Sequence, residues 1–234
     1  DGTKGDVVTG NIRAIAAIPV RLATDQAPEV LEIRGEVVMP NLSFERVNAE
    51  REAAGEPLFA NARNSTAGSL KSLDPRVVAS RGLRFLAHGC GEMVGVQFTG
   101  YAEFLETIRN WGVPANRHSR AFTEIDEVVD RVEAFRDERE QLGFGVDGMV
   151  IRVDGFDAQS KLGATAKAPR WAIAFKYPAE QARTRLRAVE WQVGKGGTLT
   201  PRATMDPVFV AGTTVQHATL HNIEEIRRKD IRVG

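Results

Sequence analysis

Three charged residues sit on short apolar runs that read as strands, where a charge is costly unless it has work to do or a partner. The first is Glu36, in Leu31-Glu32-Ile33-Arg34-Gly35-Glu36-Val37. Strand alternation puts Leu31, Ile33, Gly35 and Val37 on one face and Glu32, Arg34, Glu36 and Val38 on the other. A partly buried carboxylate there would accept hydrogen bonds from ligand hydroxyls such as those of a ribose; the pattern leaves open an internal pair with Arg34 or another arginine. The second is Arg152, in Asp147-Gly148-Met149-Val150-Ile151-Arg152. Its face is shared with Val150, opposite Met149, Ile151 and Val153. A guanidinium projecting from a central strand suits a phosphate or a base edge, and one on an edge strand would sit in water. The third is Lys176, in Trp171-Ala172-Ile173-Ala174-Phe175-Lys176-Tyr177-Pro178. Trp171, Ile173 and Phe175 form the bulky face, expected to face a core. Ala172, Ala174 and Lys176 form the other, with room for a phosphate beside the ammonium. A lysine snorkelling from a strand end is the plainer alternative.

A fourth feature is the run of small and polar residues from Ala60 to Ser69, read as a loop leading into a helix start. Arg63 and Lys71 lie in or just beyond it, on either side of Gly68. Two cations with small side chains and backbone N–H groups suit a phosphodiester; a solvated loop fits the composition equally. Gly194-Lys195-Gly196-Gly197 lacks the spacing of a phosphate loop and reads as a hairpin turn. His88, His118, His217 and His221 are dispersed. The i, i+4 spacing of His217 and His221 lacks a further ligand, so no metal site is assigned.

The elements that must carry these residues follow from periodicity. Val7-Val8, Ile15 to Val20, Val30 to Val38, Leu83 to His88, Met149 to Val153, Trp171 to Tyr177, Val189 to Val193 and Val208 to Val215 read as strands, the last interrupted at Gly212. Ser43 to Ala54 reads as a helix capped by Ser43. Phe104, Leu105, Ile108 and Trp111 mark another. Ile125, Val128, Val129, Val132 and Phe135 mark a third, behind a Thr123 cap. A short helix is expected within Ala218 to Lys229. The texture changes after Pro178, and a domain boundary is placed near residues 179–183.

The chain has 234 residues, of which 42% are hydrophobic and 26% charged, so a folded core is expected rather than a disordered or collagen-like chain. No apolar run reaches the roughly 20 residues that span a bilayer. One cysteine, Cys90, excludes an internal disulfide framework and a cysteine-rich zinc site, and a reducing cytoplasm fits. The 31 basic and 31 acidic residues cancel, which argues against a uniformly basic coat. From Lys161 onward there are 13 basic and 6 acidic residues, a local footprint for a polyanion or simply a solvated face. The chain opens in a Gly-rich turn without Met and stops after the strand-like Ile231-Arg232-Val233, and reads as a portion of something longer.

In this order the segments resemble the bacterial NAD-dependent DNA ligases, from Asp1-Gly2-Thr3 through Ala218-Thr219-Leu220-His221-Asn222. The runs at 31–37, 147–152 and 171–178 resemble nucleotidyltransferase motifs III, IV and V. Asn61-Ala62-Arg63-Asn64 with Ala67-Gly68-Ser69-Leu70-Lys71 resembles a segment particular to this family. The resemblance implies an α+β fold: residues 1–180 as an incomplete, ATP-grasp-like adenylation domain, and residues 184–234 as the first part of an all-β OB-fold. It implies nick sealing in duplex DNA through enzyme-AMP and DNA-adenylate, with NAD as adenylyl donor and Mg2+ assisting, by a full-length enzyme that is monomeric. By resemblance Glu36 holds ribose hydroxyls, Lys176 stabilises the AMP phosphate, His88 stacks on adenine and Arg152 contacts the nucleotide. Arg63 and Lys71 grip DNA phosphates, Arg139 and Arg170 match further basic positions, and Lys195 lies in an early OB-fold turn that meets DNA. The family's nucleophilic lysine, in Lys-x-Asp-Gly, is absent, and only Asp1-Gly2 matches its second half. The chain alone is therefore expected not to self-adenylate. Competing readings are another covalent nucleotidyltransferase and a nick- or DNA-binding module without catalysis.

Overall fold

A computed structural model describes residues 4–178, 180–210 and 213–234, so Asp1-Gly2 and Gly212 lie outside the described residues. Two compact units result, Asp1–Tyr177 and Pro178–Gly234.

The first unit begins with the short helix α1 (Thr9–Arg13), then strand β1 (Val30–Val38) and helices α2 (Asn41–Ala53), α3 (Ala62–Leu70) and α4 (Pro75–Ser80). Strand β2 (Arg84–Val94) pairs antiparallel with β1. Then come α5 (Tyr101–Asn110), α6 (Ile125–Glu138), a 3-10 turn (Arg139–Leu142), β3 (Gly148–Arg152), α7 (Phe156–Leu162) and β4 (Ala172–Lys176), with β3 and β4 antiparallel.

The β1–β2 sheet rests on a core. Alternation holds along β1, where Leu31, Ile33 and Val37 are half-buried and Glu32, Arg34 and Glu36 are exposed. Leu31, Ile33 and Phe85 pack on a cluster of Ala87, Phe98, Phe104, Leu105, Ile108, Val113 and Ala115. Phe104, Leu105 and Ile108 follow helical spacing on α5 and are at most 1% exposed. A second cluster joins Ile15, Met39, Val78 and Leu83.

Several expected elements differ. Val7-Val8 and Ile15 to Val20 are not strands: α1 and turns occupy this stretch, and Ile15 is 1% exposed because it joins the second core. Apolar runs this short do not distinguish strand from buried turn. In the 60–76 segment the expected helix start comes at once: Ala62–Leu70 is helical and only the residues beside it are loop. Asn61 caps α3 by accepting the Asn64 N–H at 2.8 Å, and Thr66 and Ser69 donate to the carbonyls of Ala62 and Ser65, four residues back. Asp74 and Pro75 start α4, Asp74 accepting the Arg76 N–H at 2.9 Å. Ser43 is not a cap, since α2 begins at Asn41 after Pro40; Thr123 is not one either, since Glu124 precedes α6.

The second unit is a three-stranded antiparallel sheet in the order β5 (Leu186–Val193), β6 (Leu199–Val210), β7 (Thr213–Thr219), followed by α8 (Ile223–Arg228). Residues 194–197 form the β5–β6 turn, closed by Gly194 N–H to Thr198 O at 2.8 Å. Ala203 is buried at the sheet centre, and Arg187 binds Asp206 through two bonds of 2.7 Å. His217 lies on β7 and His221 beyond it with φ of 62°, so their i, i+4 spacing is not helical.

Candidate nucleotide and DNA site

Glu36 stands on β1 opposite Leu86, and its side chain is 62% exposed rather than partly buried. Arg34 does not pair with it: Arg34 holds Glu32 at 2.6 Å, and those bonds keep the Glu32 carboxyl below the usual carboxylate range. The neighbour of Glu36 is Arg63, on the first turn of α3, at 3.8 Å. One nucleotide candidate and one DNA candidate are thus adjacent. Lys71 caps the far end of α3, with Asp6 at 3.6 Å.

His88 occupies a β-bulge. Arg34 pairs with Gly89 and Gly35 with Ala87, leaving His88 as the extra residue of β2. Bulges leave one residue outside the ladder and re-aim it. The His88 side chain is exposed, and its carbonyl accepts a bond from Arg152 Nη1 at 3.3 Å. Gly35 is required opposite the bulge, because a Cβ there would lie 2.2 Å from the Phe85 ring.

Arg152 ends β3 and is half-buried, so it is neither a free projecting cation nor an arginine in water. Its guanidinium carbon lies 4.0 Å from the centroid of Tyr101 and 5.9 Å from that of Trp171. Burial pushes the Tyr101 phenol up, against the opposing pull of Arg152, so it stays protonated at neutral pH. Burial likewise pushes the Cys90 thiol up, which makes it a poor nucleophile.

Lys176 ends β4, is exposed, and lies 3.5 Å from Asp147. The expected core face of this strand is largely uncovered, with Ile173 67% and Phe175 40% exposed. The alternation marks a bulky face, and within the first unit it is only partly covered, Phe175 packing edge-on against Tyr177 at 5.2 Å. Arg139 stacks its guanidinium 4.9 Å from the ring centroid of Tyr177. Arg170 is exposed and donates its backbone N–H to Gly163. Lys195 is exposed in the β5–β6 turn of the second unit.

Within the first unit the structure joins Glu36 to Arg63 and Arg152 to His88, whereas no bond links Lys176 to either pair among the described residues. Sequence reasoning did not single out Tyr101, Trp171 as a cation partner, Asp154 or Asp147. Asp154-Gly155 carried a weak signal as a turn; the role of Tyr101 depends on tertiary placement.

The first unit is thus α+β and carries the acid, the imidazole and the cations, and the second is a three-stranded sheet with one short helix. Comparison with known proteins identifies both. Residues 1–180 match the NAD-dependent DNA ligase adenylation domain and residues 183–234 the NAD-dependent DNA ligase OB-fold domain. The chain belongs to the NAD-dependent DNA ligase family. It is 47% identical over 234 residues to a DNA ligase of Desulforudis audaxviator, covering all of this chain and 35% of that protein. The DNA ligase of Methylacidiphilum infernorum is also 47% identical, with 34% of it covered, and that of Geobacter sulfurreducens 44%, with 35% covered. The chain thus spans about a third of the length of these relatives.

Proposed function

We propose that this chain furnishes the AMP-binding surface and part of the DNA grip of an enzyme that seals nicks in duplex DNA with NAD as adenylyl donor. The observation that carries the reading is the state of Glu36 and Lys176. Both are exposed, and their ion partners stand no closer than 3.8 and 3.5 Å, so a ligand can take up either charge at little cost.

In this reading Glu36 accepts bonds from the ribose hydroxyls, Lys176 neutralises charge growing on the adenylyl phosphate, and His88 stacks on the base. Arg152 serves the nucleotide site. Arg63, Lys71, Arg139, Arg170 and Lys195 contact DNA phosphates, which positions the nick without reading its sequence. Residues 1–180 act as part of the adenylation domain and 184–234 as part of the OB-fold. The lysine that takes the adenylyl group is not among these 234 residues. The chain alone therefore forms no lysine-linked AMP, and the intact enzyme works as a monomer in the cytoplasm, in replication and repair.

Among the described residues no three carboxylates, histidines or cysteines converge to hold a metal ion. The described residues make no protein cage for Mg2+, and no step is routed through it.

The test is Lys176→Ala in the intact protein that carries this sequence, followed by transfer of labelled AMP from NAD. Loss of at least about a hundredfold in the adenylation rate is expected from removing a charge that meets the transition state, with the melting temperature unchanged. Normal adenylation refutes the role.

A further inference from the structure

The structure assigns Tyr101 a role of its own: we infer that it is a positioning residue that, with Trp171, fixes the Arg152 guanidinium against the His88 carbonyl and so sets the bulge from which His88 meets the base. The inference rests on reading His88 as the residue that stacks on the adenylyl base.

Four observations converge. The bulge leaves the His88 backbone unpaired in the β1–β2 ladder, so the restraint that holds it comes from outside that sheet. Arg152 supplies it from the neighbouring sheet, donating Nη1 to the His88 carbonyl at 3.3 Å. That guanidinium is itself held on a ring, 4.0 Å from the Tyr101 centroid and 5.9 Å from that of Trp171. Tyr101 is in turn tied to the segment that directly follows the strand carrying Arg152. Its N–H donates to the Asp154 carbonyl at 3.0 Å, the Ala102 N–H donates to the Asp154 carboxylate at 2.8 Å, and Gly100 bridges Gly155. A Cβ on Gly100 would stand 2.6 Å from that carboxylate, so a larger residue there would push the Asp154 side chain out of the clip. Asp154 and Gly155 thus join α5 to the end of β3, and the Arg152 guanidinium joins β3 to the bulge.

The fork geometry of arginine matters here. A planar guanidinium can lie on a ring and still direct an N–H sideways to a carbonyl, whereas a lysine ammonium is a point charge on a flexible stem. Arg152 thus acts on the base through His88, and Tyr101 acts through Arg152. Loss of Tyr101 loosens nucleotide binding and leaves the chemical step alone.

The experiment is self-adenylation kinetics of the intact ligase with NAD, comparing wild type, Tyr101→Leu and Tyr101→Phe. For Tyr101→Leu the KM for NAD rises roughly three- to tenfold, the range a partly desolvated cation–π contact supports, while kcat stays within about twofold. Tyr101→Phe keeps the ring and restores the wild-type KM. An unchanged KM in a folded Tyr101→Leu protein overturns the inference, as does a fall in kcat at constant KM. Wild-type protein that fails to adenylate with NAD defeats the function reading instead. A second measurement needs no variant: in the intact protein the Arg152 side-chain protons are expected to resonate upfield, because the guanidinium lies over the Tyr101 ring. Arg152 resonances at ordinary positions overturn the inference even if Tyr101→Leu does not fold.

Discussion

The two sheets of the first unit carry similar sequence patterns and have different fates. Both β1 and β4 alternate bulky apolar residues with small or charged ones. The β1–β2 sheet lies on Phe104, Leu105 and Ile108, all 1% exposed or less. The β3–β4 sheet leaves Val150 57%, Ile173 67% and Phe175 40% exposed. Alternation therefore says which residues share a face, and the cover must come from somewhere else. Helix α5 follows β2 within the chain and covers that sheet; no element of the first unit covers Ile173, which is 67% exposed.

This contrast is open to direct attack. Phe104→Ala removes a side chain with no exposure from the covered sheet and should cost about 3–5 kcal/mol, read by urea unfolding. A cost below about 1 kcal/mol would mean that the β1–β2 core is not packed as described. Gly148→Ala places a Cβ 2.2 Å from the Phe175 carbonyl, where backbone must move, and should cost about 1–3 kcal/mol even though its sheet is uncovered. Ile173→Ser, on the open face, should shift stability by no more than about 0.5 kcal/mol in this chain, and a loss like that of Phe104→Ala would show that the face is buried after all.

The smallest effect is in the second unit. Side-chain bonds from Arg228 and Lys229 lower the Glu225 carboxyl from 4.5 to about 2. A carboxyl lowered by folding stabilises α8 fully above 4.5, and that contribution fades as pH falls through about 2. Both partners are in water, so the effect is slight. An NMR titration of Glu225 with its midpoint near 4.5 would show that the pairs do not persist.

How much was readable in advance follows from the same physics. The strands at 30–38, 148–152 and 172–176 were legible because alternation and flanking turns define them locally, and α5 because its stripe has helical period. Helix α3 was legible only as a helix start: Ser65, Thr66 and Ser69 are poor helix formers, and that they are buried within the helix could not be read from their types. Glu36, Lys176 and Arg152 could be selected as charges on strands. Alternation puts Glu32, Arg34 and Glu36 on one face, but which of the two acids Arg34 holds, and that Arg63 comes up to the other, is settled only by the tertiary fold. The hold of Tyr101 on Arg152 joins positions 51 residues apart in the chain, and only the tertiary fold brings them together.

The most direct measurement of the whole account is nick sealing by the intact protein that carries this sequence, with NAD or ATP as the sole adenylyl donor. Sealing with NAD and none with ATP is the predicted result. Sealing with ATP alone, or tight binding to nicked duplex without sealing by either, would contradict it.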